Sequence, residues 1–148
     1  MEFSFATPNI SAAKDWVEYN QIQIFEAGFY AEQAPKERLL RSNIRIIGKV
    51  AKTTLLHPDE IVLYRNVIDS CADGALPLGV LVKLPGKVSF KEEEWVGVEG
   101  RVTLLPFEQR LRSIKPIINM APQGQRYPCL AATTAYRVAA PDSEYLYQ

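Results

Sequence analysis

Cysteine and histidine are scarce in this chain of 148 residues, with Cys71, Cys129 and the single histidine His57. Two cysteines cannot build the disulfide framework of a small secreted domain. They allow one bridge at most and leave the compartment open. Net charge is lacking as well: seventeen basic residues balance seventeen acidic ones, so no overall field draws the protein to phosphate backbones or anionic lipid. No apolar run reaches the ~18 residues of a spanning helix. The start, Met1-Glu2-Phe3-Ser4, has no basic region of the kind that opens a signal peptide. No Cys-x-x-Cys or His-x-x-x-His spacing occurs, and no glycine-rich loop follows a strand. These absences lead to the expectation of a soluble, cytoplasmic, non-catalytic domain. An apolar content of 47% with 23% charged residues fits one folded core.

What is present is β patterning. Ile44-Arg45-Ile46-Ile47-Gly48-Lys49-Val50 and Val96-Gly97-Val98-Glu99-Gly100-Arg101-Val102 start fifty-two residues apart and share one design. A β-branched residue recurs at every second position, and Gly48 or Gly100 takes the slot where the next would point. Period-two alternation puts these side chains on one strand face. A glycine in that row marks a bulge or the corner of a barrel. Strands are expected at residues 44–52, 60–70, 78–84, 95–105 and 130–138, with a turn at His57-Pro58-Asp59. Five strands at this spacing fit an OB-like Greek-key barrel, a mainly β fold, over residues 43–148. The proline-rich stretch 106–128 reads as a long loop with one edge strand around Ile117, and the tail after Ala140 as an extended segment.

The first 42 residues read as a short helical arm. Ser11 is placed to cap a helix running through Tyr19. Gly28 interrupts the next stretch, and Pro35 suits the first turn of a second helix ending at Leu40. Trp16, Phe25 and Phe29 are expected to pack this arm on the barrel.

Three chemistries can be drawn from the polar residues. Asp69, Cys71 and Asp73 form the densest cluster after the second strand, and with His57 or Cys129 they offer a candidate zinc set. The same residues also read as a buried thiol with turn-forming carboxylates; no cofactor is expected beyond that zinc. Tyr64, Arg65, Arg110, Arg112, Lys115, Arg126 and Tyr127, joined by Lys83 and Arg101, would serve an OB barrel that binds single-stranded nucleic acid. Against this stand the zero net charge and the acidic run Glu92-Glu93-Glu94. Trp16, Tyr145 and Tyr147, with Phe25, Phe29 and Tyr30, are aromatics of the kind that protein interfaces favour, or that a small barrel needs as cover.

Three strings together resemble a bacterial family of unknown function, the YcgQ type. They are Arg65-Asn-Val-Ile-Asp-Ser-Cys-Ala-Asp-Gly-Ala-Leu-Pro-Leu-Gly79, the Trp95-Val-x-Val-x-Gly-x-Val strand, and Ala140-Pro141 followed by Tyr145-Leu146-Tyr147. The resemblance implies an OB-like C-terminal domain, tethered in relatives behind two membrane helices and paired with a permease. It also implies a link to metal supply, zinc above all, and no established catalysis. Two positions depart from the family pattern: Ser70-Cys71 stands where a Cys-Cys pair is usual, and Gly74 where an Asp is usual. No membrane anchor is seen in this sequence, so a role in which the chain meets a permease as a separate domain is expected.

Overall fold

The two glycine-bearing segments lie side by side. In the computed structural model, which describes residues 16–29, 33–68, 74–87, 89–121 and 126–148, they are β2 (Asn43–Ala51) and β5 (Trp95–Leu105), paired antiparallel with Ile44 opposite Gly100 and Gly48 opposite Val96. Ile44, Ile46, Gly48 and Val50 all face inward and are buried. At Gly100 the pairing with β6 (Tyr127–Arg137) slips register. A Cβ there would lie 2.0 Å from the Ala131 carbonyl oxygen, so only glycine lets the sheet bend at that point. At Gly48 the intruders would be the Tyr64 carbonyl at 2.8 Å and the Gln21 side-chain nitrogen at 2.9 Å.

β3 (Glu60–Ile68) and β4 (Ala75–Lys83) complete the ring. β2 pairs with β3, β3 with β4, β4 with β6 in parallel, β6 with β5, and β5 with β2. Counted in chain order, the barrel strands therefore run 1-2-3-5-4 around the ring, the connectivity of an OB fold. Its interior holds Ile46, Ile61, Leu63, Val80, Val82, Val98 and Leu130, all fully buried. Each such side chain contributes roughly 1.5–3 kcal/mol relative to exposure.

Closure between β2 and β3 is brief. Only residues 49–51 pair with 62–64, after which the two strands fork. Gln21 sits at the fork and donates through Nε2 to the carbonyls of Ile47 and Leu63, which belong one to each strand. Beyond the fork each strand takes a short parallel partner: β1 (Trp16–Glu18) lies on β2, and β7 (Tyr145–Tyr147) on β3.

Several expected elements are corrected. The helix proposed through Tyr19 is a strand from Trp16 to Glu18; its proposed cap, Ser11, lies outside the described residues. Helix α1 (Gln21–Phe29) starts later because Asn20 and Gln23 exchange hydrogen bonds, side chain to backbone N–H in both directions at 2.9 Å. Such a box fixes extended backbone just before the helix. Gly28 does not interrupt α1, since a single Gly costs a helix only about 1 kcal/mol and Ile22 and Ile24 are buried in the barrel core. Helix α2 (Gln33–Arg41) begins before Pro35, which remains in the first turn, where N–H groups have no helical acceptor. β4 starts three residues earlier than expected and tolerates Pro77 because β6 pairs only with its residues 81–83. The edge strand around Ile117 is instead helix α3 (Lys115–Met120), with Pro116 in its first turn.

Candidate interaction surface

Oligonucleotides usually bind an OB barrel on the outer side of its second and third strands, between the loops after strands one and four. Here that face is covered by the chain itself. The β5–β6 connection folds down as a 3-10 turn (Gln109–Ser113) followed by α3. Leu111, Ile114, Ile117 and Ala121 recur at helical spacing and bury themselves on Val62, Leu81, Tyr127 and Cys129. Gly79 gives α3 its seat: a Cβ there would stand 2.7 Å from Pro116 and from Val62. Asn119 then donates to the Pro77 carbonyl at 2.8 Å, satisfying β4 where it has no second strand.

A polar latch fastens the connection. The Arg110 guanidinium donates to both oxygens of the buried Glu60 carboxylate (2.9 and 3.1 Å), to Glu108 and to the Leu55 carbonyl. Burial alone would raise the Glu60 carboxyl, but Arg110 and the His57 backbone N–H hold it below the usual range. Tyr127 donates its hydroxyl to Glu108 at 3.0 Å, and burial together with that carboxylate pushes the phenol up. Burial likewise pushes the Cys129 thiol up to about 11, keeping it protonated at neutral pH.

Most residues grouped above as a nucleic-acid set are therefore engaged. Tyr64 is half-buried against the covering cluster and Tyr127 lies within it. Arg110 is in the latch, Arg112 lies 5.8 Å from the Phe107 ring, and Arg126 donates to the Leu104 carbonyl. Lys115, Lys83 and Arg101 are exposed, and Arg65 belongs elsewhere. Of the candidate zinc set, Asp69, Cys71 and Asp73 lie outside the described residues. His57 is exposed, with Nδ1 3.5 Å from Glu60, a carboxylate already held by Arg110. Among the described residues no three Cys, His, Asp or Glu gather as metal ligands.

The fork is the opposite kind of surface. Trp95 lies against two cations, with Arg65 5.1 Å and Lys49 5.7 Å from its ring centroid. Lys49 pairs with Glu144 at 2.8 Å, which holds its ammonium above the usual range. Arg65 donates to the Ser143 and Glu144 carbonyls at 3.0 and 3.4 Å. Tyr145 and Tyr147 follow in β7 and stay 37% and 67% exposed, while Leu146 between them packs on the barrel core. On the other arm Trp16 of β1 lies 5.2 Å from the Arg45 guanidinium, which also donates to the Tyr136 hydroxyl and Glu18. Tyr136 in turn donates to the buried Glu99 at 2.9 Å. The expected interaction residues Trp16, Tyr145 and Tyr147 thus stand on the two end strands of the sheet that the described residues form. Phe25 is half-buried against the core; Tyr30 and the side chain of Phe29 lie outside the described residues. Sequence reasoning missed Lys49, Trp95, Glu144, Arg45 and Glu99 as site members. Their one local signal was that Arg45 and Lys49 occupy the polar positions of an alternating strand.

No curated protein matches the chain in sequence. Among solved structures it is similar to a protein assigned as an aspartyl-tRNA synthetase in Leishmania major Friedlin, at 13% identity and a TM-score of 0.46, covering 90% of this chain and 23% of that one. An Entamoeba histolytica aspartyl-tRNA synthetase gives 14% identity and 0.43, over 94% and 24%. A small single-stranded DNA-binding protein of Streptomyces coelicolor gives 13% and 0.37, over 66% and 93%. The chain spans about a quarter of the length of the synthetases it matches. These likenesses are of fold, and the strand order given above is what assigns it. A family model is matched by residues 31–148, and the chain therefore belongs to the DUF1980 C-terminal domain family, a family of unknown function.

Proposed function

We propose that this domain is a non-catalytic interaction module that works beside a membrane permease in metal homeostasis. The observation that carries the interaction reading is the contrast on the barrel surface. The face an OB fold offers to oligonucleotides is occupied by the chain's own apolar connection, while β1 and β7 end the sheet with aromatic side chains at its margins. Sheet edges recruit partner strands, and aromatics with arginine are the residues interfaces favour. The permease and the metal link draw their support from the resemblance of the 65–79, 95–102 and 140–147 strings to the YcgQ type. No helix among the described residues is long and apolar enough to cross a membrane, which suits a part that meets the permease from outside the bilayer.

The single-stranded nucleic-acid alternative has less support, since Arg110 and Tyr127 are committed to internal contacts, and Arg112 and Arg126, though exposed, already meet the Phe107 ring and the Leu104 carbonyl. Both readings are tested together by immobilising the full chain and titrating the paired permease in detergent against an oligothymidine at low salt. Saturable permease binding with no oligonucleotide response is expected. Salt-sensitive oligonucleotide binding that is lost on Arg112→Ala plus Arg126→Ala, both exposed and outside the latch, would overturn the proposal in favour of the alternative.

A further inference from the structure

Among the described residues β7 is the last strand of the sheet order and pairs with β3 alone. The barrel's final strand, β6, is already complete at Arg137, so β7 can leave without breaking any pair of the closed ring. Its attachment is three backbone positions, Asn66 with Tyr145, Val67 with Leu146 and Ile68 with Tyr147, continued by the Gln148 N–H on the Ile68 carbonyl at 3.0 Å. Ahead of it, Glu144 and the 143–144 carbonyls engage Lys49 and Arg65 beside Trp95. Backbone pairing with alternate side chains inserted is the arrangement by which one chain adds a strand to another.

The cis segment leaves this site under-filled. Arg65 is 8% exposed, yet it meets two carbonyls and a ring, with no carboxylate paired to it among the described residues. Burial accordingly pulls its guanidinium down from its ordinary value. A buried guanidinium is best satisfied by a carboxylate fork. The tail brings one carboxylate to the fork, Glu144, and spends it on Lys49.

We propose that the β3 edge at residues 66–68, together with Lys49, Arg65 and Trp95, is a docking site for an extended segment of a partner protein with the pattern acidic-acidic-aromatic-aliphatic-aromatic, and that residues 143–147 are its occupant in cis. The proposal rests on the interaction-module reading and names the chemistry of the partner. The first acidic residue takes the place of Ser143, whose Oγ here bonds the Tyr145 backbone while its carbonyl accepts from Arg65, and turns its longer, charged side chain to that guanidinium; the second repeats the Glu144 contact to Lys49. The aliphatic residue fills the position of Leu146. Because the tail is covalently attached, its high local concentration competes with any partner, so the site is occluded until displaced.

The test uses the full chain and two fluorescein-labelled peptides, Asp-Ser-Glu-Tyr-Leu-Tyr-Gln (the native tail) and Asp-Asp-Glu-Tyr-Leu-Tyr-Gln. A tail-released variant, Leu146→Asp, should bind the native peptide about tenfold more tightly than the wild-type chain does. The doubly acidic peptide should bind about fivefold more tightly again, an advantage that Arg65→Gln removes. Absence of binding to a folded Leu146→Asp chain, or affinity indifferent to Arg65→Gln, would overturn the proposal. Should Leu146→Asp unfold the protein, hydrogen exchange on the wild-type chain decides. The doubly acidic peptide should deprotect the amides of residues 145–148 while leaving those of 66–68 protected, and tail amides unmoved by excess peptide would refute displacement. A concentration-dependent dimer abolished by Leu146→Asp would show that the occupant is a second copy and would sink the partner segment. Peptide binding without permease binding would leave the site standing and remove the permease; the reverse would remove the site alone.

Discussion

Two coverings of the same barrel differ in how they are held. Over β3 and β4 the 3-10 turn and α3 bury a continuous apolar cluster and add a latch of charge-assisted bonds to a buried carboxylate. At the fork, β7 covers the sheet edge with three paired residues, one exposed ion pair and two bonds to carbonyls. The first covering is built like a core and the second like a reversible contact. An OB barrel can thus cover its usual binding face with its own chain without altering its strand order.

The latch offers the largest break in that comparison. Removing one partner from a buried ion pair leaves the other uncompensated, so Glu60→Gln should cost about 3–4 kcal/mol in urea unfolding. The pH dependence has a definite sign. The Glu60 carboxyl is held below its usual 4.5 in the folded chain, so its stabilisation is fully present above that value and is lost as pH falls through the folded-state pKa. Stability of the wild-type chain should decline on acidification below about pH 4.5, and Glu60→Gln should flatten that decline. Glu94 and Glu108, also held low, leave a residual slope.

Truncating the covering helix comes next. Ile117→Ala empties a buried site and should cost about 2–4 kcal/mol, with Cys129 becoming reactive to alkylation as the face opens. On the fork, Leu146→Ala removes a half-buried side chain and should cost about 1 kcal/mol. Lys49→Ala breaks the pair with Glu144 and should cost under about 0.5 kcal/mol. The smallest effect has the opposite sign and lies outside both coverings. Among the described residues a Cβ at Gly28 meets only Leu104, at 3.8 Å, so Gly28→Ala should stabilise the chain by about 0.5 kcal/mol through the unfolded state.

The barrel was legible where side chains repeat on one face. β5 runs from Trp95 to Leu105 as its alternation indicates, β2 is displaced by one residue, and Gly48 and Gly100 stand at close approaches within one closed sheet. What escaped was decided by packing between distant segments or by competing local signals. Asn20 carries a helix-capping side chain, and the reciprocal Gln23 three residues on was the signal that marks it as the start of α1. The spacing of Leu111, Ile114, Ile117 and Ala121 is helical, yet four prolines between residues 106 and 128 masked it. Pro116 in the first turn begins α3 and does not break it. The fork was least legible, because Lys49, Arg65, Trp95 and Glu144 are far apart in sequence and meet only when β2 and β3 diverge.

Native-state hydrogen exchange, read residue by residue on the wild-type chain, compares the two coverings in one experiment. Amides of residues 111–121 are expected to exchange only through openings close to global unfolding. Those of residues 145–148 should exchange orders of magnitude faster through local detachment. Equal protection in the two segments, or slower exchange in the tail, would contradict the view that this barrel has one sealed face and one replaceable edge.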